Sequence, residues 1–352
     1  MRAARDSWIN PLVSLTLCAA AAAAFAWLRV PLPWMLGPLT VMALGNFSGA
    51  ALRAPRGGRA CGQIVIGTAL GLYFTPVVAR EVLSYWHLLI LAGVFAIALG
   101  AAAGWILSRV AGIDRTTAFF ASVAGGAAEM TLLGERYGAR PDRVALGQSL
   151  RILAVVVVVP FALTYSGVHG SDLYQPAVMP FDWTRLLLLL GIATLAGLAV
   201  NATGLPNGFM FGPLAVVTAL TAGEVNFSSL PSYLSNGAQV LLGCSLGARF
   251  QRRSLESTPR FLAGLLVSVV GAMAIAAGFA VALAWVSGLS LPTLILATAP
   301  GGIAEMCITA KVLQLGVPLV TAAHVTRVVV LITTTGPTYR AVQAWRARFR
   351  SR

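Results

Sequence analysis

The sequence predicts an all-α polytopic membrane protein made of two inverted repeats, with about ten transmembrane helices plus re-entrant or broken helices. The first observation is composition: 58% of the 352 residues are hydrophobic, 10% are charged, and the mean hydropathy is +0.82. Such values are typical of membrane proteins with many helices. The second is a motif that occurs twice, AGGAAEM at 124–130 and PGGIAEM at 300–306. The third is that the longest polar interruption, 167–185, is too short to fold as a separate domain.

Apolar stretches give the predicted helices in chain order, six in each half of the sequence. In the first half they lie near 11–28, 33–50, 61–79, 86–108, 116–133 and 144–166. In the second half they lie near 185–203, 207–222, 233–248, 261–287, 291–310 and 318–338. Several are shorter than the roughly 20 residues that span the hydrocarbon core. Because short stretches with Gly or Pro recur at matching positions, we expect discontinuous helices or re-entrant hairpins.

The two halves match each other along most of their length. Gly37-Pro38-Leu39 returns 175 residues later as Gly212-Pro213-Leu214. Three further pairs are separated by 176 residues: Gln63 and Gln239, Glu129 and Glu305, and Arg151 and Arg327. We therefore predict a first membrane repeat at 1–166, an inter-repeat loop at 167–184, a second membrane repeat at 185–338 and a basic cytoplasmic tail at 339–352.

Loop charges predict that the second repeat is inverted relative to the first, because arginines tend to mark short cytoplasmic loops. In the first half they lie at the N-terminus and at 53–59, whereas in the second half they lie at 249–260 and in the tail. Inversion requires an odd number of crossings per repeat, so one stretch in each enters and leaves on the same face. The Gly-Gly stretch is the candidate. Both termini are then cytoplasmic, although the arginines at 136–143 would lie outside.

The formal charge of +14 does not indicate nucleic-acid binding, because the arginines lie between hydrophobic stretches and at the two ends rather than on one basic face. They are interpreted as topogenic charges and as contacts to anionic lipid. The basic tail is expected to lie on the cytoplasmic leaflet, with docking of a regulatory partner as the alternative.

Cysteine and histidine usage argues against metal or disulfide chemistry. The cysteines lie in apolar segments without CxxC spacing and are interpreted as packing residues: Cys18, Cys61, Cys244 and Cys307. The histidines are scattered, with no pair at helical spacing: His87, His169 and His324. We therefore expect no metal site, no cofactor and no enzymatic activity.

The repeated Gly-Gly-x-Ala-Glu-Met segment is the strongest candidate for a site. Its candidate residues are Gly125, Gly126, Glu129, Gly301, Gly302 and Glu305. In the functional interpretation the glycines let the backbone unwind towards a cavity, and the carboxylate binds a cation or proton or holds a ligand. In the structural interpretation the glycines permit close helix packing, and the glutamate complements the dipole of the next helix. Because the pattern occurs twice at one spacing, the functional interpretation is favoured.

Four further polar residues lie within apolar stretches. Arg151 and Arg327, each 22 residues after a motif glutamate, pair with it or with an anionic substrate, or else snorkel to the interface. Gln63 and Gln239 either contact substrate or link helices. All four are candidate substrate-binding or ion-binding residues.

The segments at 33–39 (PWMLGPL), 125–130 and 301–306 resemble those of the AbrB-like family of duplicated bacterial inner-membrane proteins. The resemblance covers essentially the whole chain. It implies a duplicated membrane fold, and members of the family are described as regulators of gene expression or as ammonia monooxygenases. The family is also distantly similar to inverted-repeat antiporters and anion symporters with broken helices, which is an analogy of fold.

The sequence thus predicts a secondary transporter, or a sensor derived from one, with a midplane site built from the two Gly-Gly-x-Ala-Glu-Met segments. The alternative is a membrane regulator of gene expression that acts through a partner without transport. The expected partners are the lipid bilayer and a small solute, cation or proton, with no nucleic acid. Small-residue helix faces also suit a homodimer.

Overall fold

The computed structural model describes residues 2–167, 179–225, 227–250 and 259–350, and within these ranges all regular structure is helical. The helices of the first half are α1 Arg2–Trp27, α2 Pro33–Phe47, α3 Gly58–Gly71, α4 Pro76–Ser84, α5 Trp86–Ala111, α6 Arg115–Ser122, α7 Ala127–Arg136 and α8 Pro141–Tyr165. Those of the second half are α9 Trp183–Ala202, α10 Gly208–Ala222, α11 Ser232–Gly247, α12 Pro259–Ser287, α13 Leu291–Thr298, α14 Ile303–Leu313 and α15 Val317–Arg350. The all-α prediction is confirmed.

Both Gly-Gly stretches are interrupted helices, as predicted. The first divides into α6 and α7, and the second into α13 and α14. The first half-helix of each pair starts from a side-chain cap, with Asp114 accepting from the Thr117 N–H and Ser290 accepting from the Thr293 N–H. A further break was not predicted: α3 and α4 meet at an angle of 90°. Pro76, the first residue of α4, suits a helix start, because its missing N–H would be unpaired there in any case.

Six helices of the described chain are long and apolar enough to cross a membrane, or up to seven if the bent α3–α4 pair forms one span. They are α1, α5, α8, α9, α12 and α15. Their outer surfaces carry large apolar side chains such as Leu195, which is 69% exposed, and Val270, which is 59% exposed. A multi-pass membrane protein is therefore supported. Ten crossings, inversion of the repeats and cytoplasmic termini stay predictions.

The predicted connecting segments are only partly described. Residues 168–178 of the inter-repeat loop lie outside the described residues. The predicted tail is described to Arg350, where its backbone continues the helix that begins at Val317.

The chain divides into two compact units. The first unit contains Met1–Glu81, Val157–Ser257 and Cys307–Pro318, and the second contains Val82–Val156, Thr258–Met306 and Leu319–Arg352. In the first unit α2 packs between α1 and α11, while α10 packs between α9 and α3. Two glycines allow the close approach: a Cβ at Gly67 would lie 2.6 Å from the Met210 carbonyl oxygen, and a Cβ at Gly243 would collide with the Met35 carbonyl oxygen.

The second unit contains both breaks, with α6, α7, α13 and residues 303–306 of α14. Helix α5 packs against α6 and α12, and α12 packs against α13. The Phe95 and Phe279 rings stack at 3.7 Å, and the Ser268 hydroxyl donates to the Ala103 carbonyl over 2.6 Å. These contacts hold the long helices α5 and α12 together, so each supports one of the short half-helices.

Candidate functional site

Each interruption is a short extended segment between two half-helices. The first break, 123–126, begins at Val123 (φ −61°, ψ 131°) and ends at Gly126 (φ −66°, ψ 138°). The second break, 299–302, begins at Ala299 (φ −55°, ψ 136°). Pro300, which has no N–H, cannot continue α13 and reinforces the second break. Both breaks leave carbonyl groups at the end of one half-helix and N–H groups at the start of the next.

Within each motif, the methionine and glutamate side chains lie against the two glycines. Seen from Gly125, the Met130 side chain occupies the space that a Cβ would need, at 2.7–2.8 Å. At Gly126 that space is taken by the Glu129 carboxylate. The second motif repeats both relations, with Met306 over Gly301 and the Glu305 carboxylate over Gly302. A Cβ at any of these four glycines would therefore meet a side chain of the following helix that folds back onto it.

The two glutamates occupy the same place in their helices. Glu129 is the third residue of α7 and Glu305 the third residue of α14, and both side chains are half-buried. Folding back towards the second glycine puts each carboxylate at a helix N-terminus, where the helix dipole favours negative charge. The position of the glutamates agrees with the structural interpretation, in which they complement the helix dipole. The half-buried carboxylates nevertheless leave surface that a ligand or proton can reach.

The two arginines bind the other end of each break. Nη1 of Arg151 donates to the carbonyls of Ser122 (3.2 Å) and Val123 (2.6 Å). In the second copy Arg327 donates through Nη1 to the Ala299 carbonyl (2.7 Å) and through Nη2 to the Gly301 carbonyl (2.6 Å). Arg151 therefore caps carbonyls at the end of α6, and Arg327 binds carbonyls of the break that follows α13.

This arrangement corrects the pairing predicted between Arg151 and Glu129, and the snorkelling alternative for both arginines. Arg151 binds backbone carbonyls and the Gln148 side chain (3.0 Å), not Glu129. Neither side chain snorkels, since Arg151 is 3% and Arg327 is 4% exposed. The two guanidinium groups lie within Coulombic range of each other. A buried positive pair held by backbone oxygens is the main electrostatic feature of the site.

Two residues that the sequence analysis did not assign to the site complete it. Gln148 donates to the carbonyls of Phe120 (2.7 Å) and Val123 (2.8 Å). The residue at the matching position of the second repeat, 176 residues later, is His324. Its Nε2 lies 2.9 Å from the Leu296 carbonyl oxygen. Both precede an arginine by three residues. The 176-residue spacing could have identified this pair, because a polar residue recurs there within two apolar stretches.

The predicted glutamines belong to the first unit, whereas the motif residues and the arginines belong to the second. Nε2 of Gln63 donates to Oδ1 of Asn207 over 3.1 Å, joining α3 to the N-cap of α10. Gln63 therefore links helices, which was one of the two roles predicted for it. Gln239 is buried on α11.

Metal and thiol chemistry can be assessed for the described ranges. No three His, Cys, Asp or Glu side chains are grouped there so as to hold a metal ion. All four cysteines have free thiols, and Cys18 and Cys244 share a buried apolar cluster with Ala22, Met42 and Val240. That location agrees with the packing role predicted for these two residues.

Comparison with known proteins identifies the family of the chain. A family model described as "Transition state regulatory protein AbrB" matches residues 34–343. The chain belongs to this AbrB family. "Putative regulator AbrB" of Escherichia coli (strain K12) is 27% identical over 318 residues, which is 89% of this chain and 90% of the relative. "Uncharacterized protein YhjN" of Bacillus subtilis (strain 168) is 27% identical over 361 residues, 95% of this chain and 94% of the relative. The AbrB family resemblance is confirmed.

Proposed function

We propose that this membrane protein is a secondary transporter, or a sensor derived from one, whose ligand-binding region is formed by the two interrupted helices. The observation that carries the proposal is the pair of breaks in one unit, each with a buried arginine at its carbonyl end and a half-buried glutamate at its N–H end. Discontinuous helices of this kind expose backbone dipoles to a solute or ion.

The two ends of each break suit different tasks. The carbonyl end is already satisfied by Arg151 or Arg327, so it supplies a fixed backbone shape. The N–H end is covered by a carboxylate that can bind a proton or a cation, or move aside for an anionic solute. We therefore assign ligand binding to Glu129 and Glu305 with their glycines, and a positioning role to the arginines. The solute is small, and we infer that no enzymatic reaction accompanies its binding.

The test is single-cysteine labelling at positions 123–130 and 299–306 in a cysteine-free background, with an impermeant reagent applied from each side of the membrane. A transporter predicts that the tips react, and that pH, sodium, Glu129→Gln or Glu305→Gln changes the side from which they react. Ala118→Cys in α6 is the matched control and should stay unreactive, because residue 118 is fully buried. Unreactive tips from both sides would overturn the proposal.

A regulator that acts through a partner is the second candidate, favoured by the printed name of the Escherichia coli relative and by the family description. In that case the basic tail or a loop carries the function, and the two carboxylates are dispensable. Deleting residues 340–352 while leaving both interrupted helices intact separates the two candidates. Loss of cellular function on deletion, with full function of a Glu129→Gln/Glu305→Gln double variant, would favour the regulator.

A further inference from the structure

One basic residue differs in kind from all the others. Of the 25 basic residues in the sequence, Lys311 is the single lysine. It lies on α14, the half-helix that begins with the second motif, two residues before its end at Leu313. The preceding residues Thr309 and Ala310 are fully buried. Lys311 itself is half-buried.

The contacts of Lys311 give it a polar but uncharged partner. Its Nζ lies 3.4 Å from Oγ of Ser235 on α11, and Ser235 is 3% exposed. Helix α11 carries no Asp, Glu, Lys or Arg, and its titratable side chains are Tyr233 and Cys244. Among the described residues, no carboxylate forms an ion pair with Lys311.

The charged group on the same helix does not face Lys311. Glu305 is six positions earlier, which is about 9 Å along the axis and about 240° around it. The other titratable group of α14 is Cys307, which is fully buried. Lys311 is therefore a half-buried amine whose hydrogen-bond partner is the Ser235 hydroxyl.

Lysine at this position differs chemically from arginine. A guanidinium stays protonated in proteins, whereas a desolvated amine without a carboxylate partner readily gives up its proton. The chain uses arginine where a permanent charge is needed, as at the two caps. An ionisable side chain set among membrane helices is a functional candidate in its own right.

We propose that Lys311 is a proton-exchanging site, and that the coupling ion of the transporter is the proton. This inference rests on the proposed function and deepens it. In the protonated form the ammonium donates to Ser235 Oγ. When the proton leaves to water, the neutral amine accepts a hydrogen bond from the Ser235 hydroxyl. The charge that Lys311 contributes to α14 then changes from +1 to zero.

The single lysine allows a direct test in the unmodified sequence. Reductive methylation with ¹³C-formaldehyde labels Lys311 and the α-amino group only, and the methyl resonance of the protein in lipid nanodiscs is followed from pH 5 to 11. We expect a titration midpoint clearly below the roughly 10.4 of an ordinary lysine. Lys311→Arg identifies the resonance by its loss. A midpoint near 10 or above would overturn the proposal.

Two variants sharpen the titration. Ser235→Ala removes the oxygen that stabilises the ammonium and should lower the midpoint further. Glu305→Gln removes a negative charge about 9 Å away along the helix and should lower it by a smaller amount. A midpoint that neither variant moves would contradict the assignment of the proton to this environment.

If the amine resists methylation, thermal unfolding decides the question. A lysine that is neutral in the folded protein binds fewer protons there than in the unfolded chain, so stability rises with pH between the two midpoints. The melting temperature of the wild type, relative to Lys311→Met, should rise as the pH increases towards the midpoint of an ordinary lysine. A constant difference would overturn the proposal. Neither measurement depends on cysteine labelling, so failure of the proton site and failure of the transporter proposal are distinguishable.

Discussion

The two interrupted helices have the same contacts in different surroundings. Helix α7 of the first copy buries only Met130 and Gly134. Most of α14 in the second copy is buried, namely Ile303, Ala304, Met306, Cys307, Ile308, Thr309, Ala310 and Leu313. The glycine, glutamate and methionine contacts are nevertheless the same. The geometry of the motif is therefore set by its own residues and the arginine that caps it, while the two copies are free to differ in function.

The differences concentrate in the second copy. Pro300 stands where the first copy has Ala124, and His324 where it has Gln148. Gly301 is approached by Val155 as well as by the motif methionine. The position that carries Lys311 in α14 carries an exposed glutamate, Glu135, in α7. The buried copy thus carries an ionisable amine where the more exposed copy carries a carboxylate.

Removing the arginine caps should have the largest effect. Arg327→Met leaves the Ala299 and Gly301 carbonyls without a charged donor, and hydrogen bonds to charged groups contribute about 1.5–3 kcal/mol each. We expect a loss of about 3 kcal/mol or more, measured by thermal unfolding in detergent. Arg151→Met should cost less, because Gln148 still donates to the Val123 carbonyl.

Arg136→Met is the control for this comparison, since Arg136 is exposed on α7. It should change the melting temperature little. If Arg327→Met were as mild as Arg136→Met, the caps would not stabilise the breaks, and the two copies could not be compared on this basis.

Substituting alanine for the first glycine of each motif should have the next largest effect on stability, and the effect should differ between the two copies. A Cβ at Gly301 would lie 2.9 Å from both Met306 Cγ and Val155 Cγ1, whereas at Gly125 it would meet the Met130 side chain alone. Overpacking costs typically 1–3 kcal/mol, so we expect about that for Gly301→Ala and less than about 1 kcal/mol for Gly125→Ala. Thermal unfolding of the two variants side by side measures the difference. Equal losses would mean that the Val155 contact does not distinguish the copies.

The sequence predicted the helices and both breaks because hydrophobic length and glycine pairs are local signals. It did not predict what Arg151 and Arg327 bind, since their partners are backbone carbonyls and no residue type marks an open carbonyl. The bend between α3 and α4 was missed because one proline, Pro76, was weak evidence inside an apolar stretch. Lys311 was overlooked because the matching position of the first repeat carries Glu135, which has the opposite charge.

The polar residue three positions before each arginine cap offers a milder comparison. His324→Leu removes the N–H that donates to the Leu296 carbonyl. Pro300, four residues after Leu296, has no N–H and cannot donate to that carbonyl instead. We expect a loss of about 1–2 kcal/mol in thermal unfolding. His324→Gln installs the amide of the first copy and should recover most of the stability. If glutamine gave no recovery, the polar residues at 148 and 324 would not be equivalent.

Neutralising the motif glutamates should have the smallest effect on stability. Glu129→Gln keeps the shape of the side chain and removes a negative charge at a helix N-terminus, which contributes about 0.3–1 kcal/mol. Glu305→Gln should lie at the upper end of this range, because α14 is mostly buried and charge–dipole interactions are stronger there. Unfolding at low and high salt checks the order, since screening should reduce the Glu129 effect more. A large change in cysteine reactivity at the breaks, with so small a loss of stability, would assign the carboxylates to ligand binding. A loss as large as that of Arg327→Met would instead make them part of the fold.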